Sequence, residues 1–486
     1  MNAGGIGIRI LGLGPGGGEL LTRKAWQVLH DSQEIYLRTR LHPAVEELPA
    51  HLVIHSFDDL YETEGSFEQV YAQITERIVE LGRRETGVVY AVPGHPLVAE
   101  ATTPQIMQRA AAEGLPVEII DGMSFLEPVL TALGIDPFPQ TVLVDALEIA
   151  GGHVPPFPTS TPALIAQIYS KTIASNVKLV LTTLYPDNHP VRLVHAAGTA
   201  RQVVEDLKLY EIDRSNHLGL LSALFLPPLP RETSFEAFLE VVAHLRSPEG
   251  CPWDREQTHQ SLKADLLEET YEALAAMDAD DPEGMCEELG DMILLILLHT
   301  QIAADNGEFT IADVLQRVHT KIVRRHPHVF GDQRINDEKE VLQNWEKLKE
   351  QERQESGNTK GSLLDGVALA LPALVQSQIY QKRAARVGFD WPDVQGVLDK
   401  LNEELDEVIR AANDEERASE IGDLLFAMVN LARWYDIDAE SALRLASGRF
   451  RERFAYIEQA AHEQGCSVSD LTLDEMEALW QQAKKL

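Results

Sequence analysis

The chain has 486 residues, 44% of them hydrophobic, and a formal net charge of −35 at pH 7. This length suggests about three domains, and the acidic balance disfavours a nucleic-acid polymer as a partner because phosphate contacts need clustered lysine and arginine. The three cysteines are far apart, which argues against a disulfide framework or a zinc site and favours a reducing compartment. No signal-peptide pattern is evident, and the longest apolar run, residues 292–298, is too short to cross a bilayer. We therefore expect a cytoplasmic protein without a membrane partner.

The first part of the chain alternates strand-like and helix-like patterns. Residues 6–14 predict a buried strand that runs into a glycine-rich loop, residues 87–92 predict a second strand, and residues 117–124 predict a third unit of strand and loop. The periodicity of the intervening segments indicates helices, which is typical of an α/β domain. Glycines let backbone N–H groups approach a ligand, and loops that follow neighbouring parallel strands converge on one crevice. The sequence thus predicts a ligand site formed by these loops.

Residues 141–225 are expected to form a second α/β subdomain. Residues 141–145, 177–183 and 217–225 read as strands, and residues 191–207 read mainly as helix. Three prolines within residues 226–230 predict a stiff linker, and beyond it helix formers dominate. The predicted domains are an α/β domain at 1–225, a linker at 226–232, a first helical repeat at 233–352, a linker at 353–365 and a second helical repeat at 366–486.

Two pairs of carboxylates mark the first helical repeat. Glu269 and Glu272 are three residues apart and share one helix face, and Glu288 and Asp291 repeat this spacing on the next predicted helix. Two antiparallel helices could direct all four side chains to one point. Because like charges repel and buried ions are costly, such a group needs a cation. Oxygen ligands without cysteine or histidine suit Mg²⁺ or Mn²⁺ better than zinc.

The same pattern occurs a second time, at Glu404, Glu407, Glu420 and Asp423. Basic and aromatic residues also recur in the same order and spacing. Lys321 and Arg325 match Arg449 and Arg453, and Trp345 and Lys349 match Trp480 and Lys484. Acidic residues on a solvent-exposed helix face would not be followed twice by the same basic and aromatic residues in the same order. We therefore interpret the second half of the chain as a duplicated, metal-binding, all-helical module.

The motifs GLGPG, AVPGHPLVAEATT and DGMSFLEP of the first 225 or so residues resemble those of the tetrapyrrole (corrin and porphyrin) methylase family. The resemblance implies two α/β subdomains that hold S-adenosylmethionine between them, and a tetrapyrrole as a possible methyl acceptor. One departure is His95, which stands where the family commonly has an aspartate. The residues that would contact the cofactor by this resemblance are Gly12, Gly14, Pro15, Gly16, Gly94, His95, Pro96, Leu97, Thr102, Thr103 and Ser124.

From about residue 233 onwards the chain resembles the MazG family of nucleoside triphosphate pyrophosphohydrolases. The motifs are GCPWDREQTH, LLEETYE, EELGDM, RRHPHVFGD, VGFDW, EELDEV and EIGDLLFAMVNLAR. The resemblance implies hydrolysis of nucleoside triphosphates to a monophosphate and pyrophosphate, and a homodimer formed through the helical repeats.

The resemblance also implies roles for the residues of the repeated pattern. The two groups of four carboxylates would hold the metal, and Glu268 or Glu403 would orient or deprotonate the attacking water. Trp345 and Trp480 could stack on the base, although a tryptophan packed in a core is an equal alternative. The side chains that would bind phosphate oxygens are Lys321, Arg325, Lys349, Arg449, Arg453 and Lys484.

Other functions stay open at this point. A di-iron or di-manganese bundle is disfavoured, because it would need Glu-x-x-His pairs where this chain has glutamate or aspartate. The N-terminal domain could provide the main activity, or the protein could sense a ligand without turnover. The sequence leaves open which repeat is active, which base is preferred and what the methyl acceptor is.

Overall fold

The computed structural model describes residues 7–63, 66–331, 341, 348 and 362–485. The chain divides into two compact units, Met1–Ala243 and His244–Leu486. The first unit contains two sheets with helices, and the second is helical throughout its described residues, which confirms the predicted fold class. The finer boundaries at 226–232 and 353–365 stay predictions. No helix in the described part of the chain is both long and apolar enough to span a membrane.

The first sheet has five parallel strands in the order β3-β2-β4-β1-β5. Its central strand β4 is buried along its whole length, since helices cover both faces of the sheet and the strand is a continuous apolar run. The strands are β1 (Ile8–Gly12), β2 (Glu34–Leu37), β3 (Val53–Ser56), β4 (Val88–Val92) and β5 (Val117–Ile120). The helices are α1 (Arg23–Asp31), α2 (Asp58–Thr63), α3 (Phe67–Gly82), α4 (Thr102–Glu113) and α5 (Leu126–Leu133).

The second sheet is mixed, in the order β6-β7-β10-β8-β9. Strands β6 and β7 pair in parallel, and the other neighbours are antiparallel. The strands are β6 (Val142–Asp145), β7 (Ala163–Ala166), β8 (Pro190–His195), β9 (Val203–Lys208) and β10 (Ser222–Leu226), and the helices are α6 (Ala146–Ala150) and α7 (Lys171–Leu181).

Two predictions within this subdomain are wrong. Residues 177–183, predicted as a strand, belong largely to α7, whose first turn is capped by the Ser170 hydroxyl accepting from Ile173 N at 3.2 Å. Residues 191–207, predicted mainly as helix, contain β8 and β9. Gly198, with φ +77°, lies in the turn between them and takes a conformation that no α-helix contains.

The second unit is built from helices, of which two consecutive pairs matter for the site. Helices α10 and α11 are joined by residues 279–281, and α15 and α16 by residues 411–413, so each pair forms a helical hairpin. Helix α8 contains the boundary between the two units. The helices are α8 (Phe235–Arg246), α9 (Pro252–Glu256), α10 (Lys263–Asp278), α11 (Pro282–Asp305), α12 (Ile311–Arg325), α13 (Pro327–Phe330), α14 (Ala373–Arg386), α15 (Val394–Arg410), α16 (Asp414–Trp434), α17 (Ala439–Glu463) and α18 (Leu473–Ala483).

Side-chain caps fix the start of the second helix in each hairpin. Asp281 accepts hydrogen bonds from Glu283 N at 3.2 Å and Gly284 N at 3.1 Å, so α11 begins directly after the turn. Asn413 accepts from Glu416 N at 2.8 Å at the start of α16. These caps satisfy backbone donors that have no partner inside the helix. They also set where the acidic residues of α11 and α16 fall relative to α10 and α15.

Candidate metal centres and cofactor site

Three carboxylates of the first repeat come together across the α10–α11 hairpin. Glu269, Glu272 and Glu288 each contribute an oxygen to a group whose members lie within 4.8 Å of one another. Glu269 and Glu272 come from one face of α10, and Glu288 comes from α11. Asp291, the fourth predicted ligand, is outside this group of three, but its charge acts on Glu269. We call the three glutamates cluster 1.

Burial and the neighbouring negative charges raise the pKa values of two of these carboxylates. Burial raises the pKa of Glu269, and the charges of Asp291 and Glu272 raise it further. Burial also raises the pKa of Glu288, with Glu272 as the next contributor. Within the described residues, no lysine or arginine forms an ion pair with a member of cluster 1. Among the described residues the negative charge of cluster 1 is therefore not compensated, and a divalent cation would neutralise it.

The second repeat forms an equivalent group, cluster 2, from Glu404 and Glu407 on α15 and Glu420 on α16. Their ligand oxygens also lie within 4.8 Å of one another. Burial raises the pKa of Glu420, followed by the charges of Glu407, Asp423 and Glu404. As in the first repeat, the predicted aspartate, Asp423, is near the group but is not one of the three.

In the described part of the chain, cluster 2 differs from cluster 1 because a lysine side chain pairs with one of its carboxylates. Lys400 Nζ lies 2.7 Å from Glu404 Oε1 and 3.1 Å from Glu403 Oε1. Glu404 is only 5% exposed, and its Oε2 atom is buried without a hydrogen-bond partner in the described part of the chain. Lys400 is not among the residues predicted from the sequence, although its position four residues before Glu404 is the spacing of a helical ion pair.

The predicted phosphate-binding and base-stacking residues are only partly located. The Arg453 guanidinium carbon lies 5.5 Å from the centre of the Trp480 ring, which joins α17 to α18. Arg449 and Lys484 are exposed, as are Glu268 and Glu403, the residues predicted to act on water. Among the described residues, no hydrogen bond or ion pair links Arg449, Arg453, Trp480 or Lys484 to cluster 2.

The corresponding residues of the first repeat are less completely described. Lys321 and Arg325 lie in the last turns of α12, which ends at Arg325. Trp345 and Lys349 lie outside the described residues. The first repeat therefore has its carboxylates in place in the structure, while the predicted roles of these four residues stay predictions.

Three glycines pack backbone against backbone at the carboxyl ends of β1, β4 and β5. A Cβ atom on Gly12 would lie 2.5 Å from the Gly94 carbonyl oxygen, and one on Gly122 would lie 2.3 Å from the same oxygen. Gly14 and Gly94 also exchange two backbone hydrogen bonds, of 3.1 and 2.8 Å. Only glycine permits this approach, so these residues shape the edge of the sheet where the sequence predicts a ligand.

The other predicted cofactor residues lie around this glycine contact. Gly94 has φ +69°, and a Cβ added there would meet nothing within 4 Å among the described residues, so the space next to its Cα is open. Thr103 is fully buried, and its hydroxyl has no partner among the described residues. By contrast, the Thr102 hydroxyl donates to Glu100 at 2.6 Å, and Ser124 donates to Glu127 at 2.6 Å.

The remaining predicted cofactor residues lie in the loops that follow β1 and β4. Pro15, Gly16 and Pro96 are buried, whereas Leu97 is about half exposed. A Cβ on Gly16 would lie 2.5 Å from the Gly198 carbonyl oxygen, so the first glycine loop packs against the β8–β9 turn of the second subdomain. His95 accepts a hydrogen bond from Leu97 N at 3.0 Å, which holds the loop after β4 in a turn.

Both halves of the chain match models of known protein families. Family models match residues 7–213 as tetrapyrrole (corrin/porphyrin) methylases, 257–330 as a MazG nucleotide pyrophosphohydrolase domain, and 374–446 as phosphoribosyl-ATP pyrophosphohydrolase. The MazG protein of Thermotoga maritima, a nucleoside triphosphate pyrophosphohydrolase/pyrophosphatase, is 43% identical over 250 residues, which is 51% of this chain and 95% of that protein. The chain belongs to the MazG family, and its N-terminal domain is similar to tetrapyrrole methylases.

Two further relatives support this assignment. The YabN protein of Bacillus subtilis is 42% identical over 487 residues, which is 98% of each chain, so it shares the whole arrangement. The nucleoside triphosphate pyrophosphohydrolase of Escherichia coli is 41% identical over 256 residues, which is 51% of this chain and 97% of that protein. Both MazG alignments are longer than one repeat, although the second repeat on its own matches a different pyrophosphohydrolase model from the first.

Proposed function

We propose that the protein hydrolyses nucleoside triphosphates to a nucleoside monophosphate and pyrophosphate, with Mg²⁺ or Mn²⁺ held by the helical repeats. The observation that supports this most directly is the pair of carboxylate groups, clusters 1 and 2, each formed across one helical hairpin of a MazG-family chain. The relatives of the helical half are named for this reaction.

The carboxylates of the clusters would bind the metal, with Asp291 and Asp423 as the nearby fourth ligands. The donor set fits a hard divalent cation, because it consists of oxygens alone, and Glu404 has a buried oxygen without a partner among the described residues. When bound, Mg²⁺ supplies charge neutralisation to the triphosphate and lowers the pKa of a coordinated water. The exposed carboxylates Glu268 and Glu403 would orient or deprotonate the attacking water.

Basic and aromatic side chains would position the rest of the nucleotide. We assign phosphate contacts to Lys321, Arg325 and Lys349 in the first repeat, and to Arg449, Arg453 and Lys484 in the second. Trp480, and Trp345 in the first repeat, would stack on the base. The Arg453 guanidinium carbon lies 5.5 Å from the centre of the Trp480 ring, and this neighbouring cation and aromatic ring support the assignment of both side chains to one nucleotide site.

The test is pyrophosphate release from ribo- and deoxynucleoside triphosphates in the presence of Mg²⁺. Glu272→Gln and Glu407→Gln each remove one ligand charge at nearly constant volume, so each should abolish the contribution of one repeat. The double variant should lose activity by a factor of 100 or more, on the order of what removal of a catalytic group costs.

Neighbouring acidic residues provide the controls. Glu287→Gln and Asp406→Asn change exposed carboxylates on α11 and α15 that lie outside the clusters, and they should keep activity within about twofold. The proposal would be wrong if no nucleotide released pyrophosphate, or if the double variant were as active as the wild type.

We also propose that the N-terminal domain binds S-adenosylmethionine, with a tetrapyrrole as a candidate methyl acceptor. The residues present fit such a ligand: in the described part of the chain the space next to the Gly94 Cα is open, and the buried Thr103 hydroxyl lacks a partner. Methyl transfer needs mainly that donor and acceptor are held in line. Titration calorimetry with S-adenosylhomocysteine tests binding independently of any acceptor, and absence of heat at millimolar ligand would contradict it.

A homodimer is the third part of the proposal. Leu289, Ile293 and Ile296 form an exposed apolar stripe on α11, with exposures of 40, 44 and 45%. The corresponding positions of α16, Ile421, Leu425 and Met428, are 44, 53 and 51% exposed. Because the same stripe recurs in both repeats, a second copy of the chain offers matching apolar surfaces for both.

A further inference from the structure

The two clusters differ at one corresponding position on their first helices. Lys400 lies four residues before Glu404, and Asp265 lies four residues before Glu269. The register is supported by packing, since the residues three positions earlier, Leu262 and Val397, are both 1% exposed. A lysine in the second repeat therefore stands where the first repeat has an aspartate, which is a difference of two charges. The spacing of four residues puts each of them on the helix face that has the first glutamate of its cluster.

The structure shows what the lysine does. Lys400 Nζ lies within ion-pair distance of Glu404 and Glu403, at 2.7 and 3.1 Å. Glu404 is 5% exposed, so this contact compensates a carboxylate that water can hardly reach. The second oxygen of Glu404 is buried and has no partner among the described residues, so the lysine pairs with only one of the two carboxylate oxygens.

We propose that Lys400 is a built-in counterion of cluster 2, and that cluster 2 consequently binds a divalent cation more weakly than cluster 1 does. The difference depends on the metal-binding role proposed above for both clusters. A cation entering cluster 2 must share Glu404 with an ammonium group or displace it. In cluster 1 the same helical position has a carboxylate, which attracts the cation.

The two sites should therefore fill at different metal concentrations in the absence of nucleotide. One unit charge a few ångströms from a partly buried site changes affinity by roughly tenfold or more, because the local dielectric constant is below that of water. The lysine is expected to weaken cation binding at cluster 2, and the aspartate to strengthen it at cluster 1. Both charges therefore increase the ratio of the two dissociation constants. We expect two classes of Mn²⁺ site on the full chain that differ at least about tenfold in dissociation constant.

The experiment is a Mn²⁺ titration of the full chain, followed by the electron paramagnetic resonance signal of the free ion. Glu272→Gln should remove the tighter class and Glu407→Gln the weaker one, which assigns each class to its cluster. Lys400→Gln should tighten the weaker class by about tenfold, whereas Lys400→Arg, which keeps the charge, should leave it close to the wild-type value.

Lys400→Gln leaves Glu404 without its counterion, so a second variant is needed to test the proposal in case Lys400→Gln does not fold. Asp265→Lys adds the lysine to cluster 1 and should weaken the tighter class by about tenfold. Thermal unfolding gives a further readout: added Mn²⁺ should raise the Tm of Lys400→Gln more than that of Lys400→Arg, since a ligand stabilises the state that binds it better.

The outcomes separate this inference from the proposed function. Two equal sites in the wild type, or an unchanged weaker class in Lys400→Gln together with an unchanged tighter class in Asp265→Lys, would overturn the counterion role and leave the metal sites intact. Absence of Mn²⁺ binding, or binding insensitive to Glu272→Gln and Glu407→Gln, would overturn the metal scheme itself and the counterion role with it.

Discussion

Two adjacent threonines at the start of α4 differ in the hydrogen bonding of their hydroxyl groups. Thr102 and Thr103 are both fully buried, but only the Thr102 hydroxyl has a partner, Glu100, among the described residues. A buried hydroxyl without a partner lowers stability, and it is retained where it gains one from a ligand. Thr103 is therefore the residue of the predicted cofactor set whose substitution best separates binding from folding.

We expect Thr103→Val to weaken S-adenosylhomocysteine binding about tenfold, as befits the loss of one hydrogen bond, without lowering the Tm. Thr102→Val is the matched control and should lower stability by about 1–3 kcal/mol, because it leaves Glu100 short of a donor. Calorimetric titration and thermal unfolding of both variants provide the check. Equal ligand affinity in Thr103→Val and the wild type would exclude contact between this hydroxyl and the cofactor.

At the scale of the elements, a polar network joins three strands of the second sheet. His195 on β8 bonds Ser222 on β10 at 2.8 Å and Glu205 on β9 at 2.8 Å. Burial lowers the pKa of His195, and this outweighs the neighbouring Glu205. Burial acts to raise the pKa of Glu205, but hydrogen bonds from Ser215 and His195 outweigh it and lower that pKa.

The sign of the resulting pH dependence follows from these shifts. His195 binds a proton less readily in the folded state than in the unfolded state, so its stabilising contribution is present above pH 6.5, its ordinary pKa, and is lost as the pH falls. Glu205 adds a loss at still lower pH for the same reason. We expect the Tm of the N-terminal unit to fall between pH 7.5 and about 5.

His195→Gln should reduce this fall in Tm, since it removes the group that takes up a proton on unfolding. His153→Gln, a change in an exposed loop, should preserve it. An identical decrease of Tm with acid in His195→Gln and the wild type would show that another group is responsible.

The elements that the sequence predicted correctly are those whose pattern is complete within a few residues. The spacing of Glu269, Glu272 and Glu288 sufficed to place them on neighbouring helices, and the structure brings them together. The α7 segment was misread because the stretch 177–183 omits the Ser170 cap and the buried Ile173 and Ala174, which complete its helical period. The unpartnered hydroxyl of Thr103 could not be predicted, since the lack of a partner among the described residues depends on the surrounding fold and not on the neighbouring sequence.

At the scale of the whole molecule, the exposed stripes of α11 and α16 bear on assembly. A monomer with six half-exposed aliphatic side chains on equivalent faces would leave apolar surface in water at a cost of about 25 cal/mol per Å². Their equivalence in the two repeats suits a two-fold interface, in which one patch contacts the same patch of a second copy. The hairpins that form clusters 1 and 2 include these same helices, so assembly and metal binding are expected to depend on each other.

The combined variant Ile293→Glu and Leu425→Glu should convert the dimer to a monomer, because it places a charge in the middle of each stripe, where a buried and unpaired carboxylate is costly. Leu220→Glu changes an equally apolar side chain, 83% exposed in the N-terminal unit, and should leave the dimer intact. Light scattering over a dilution series in the micromolar range measures both. A wild-type chain that is already monomeric there would contradict the dimer, whereas a dimer that survives both charges would move the interface to another face of the helical repeats.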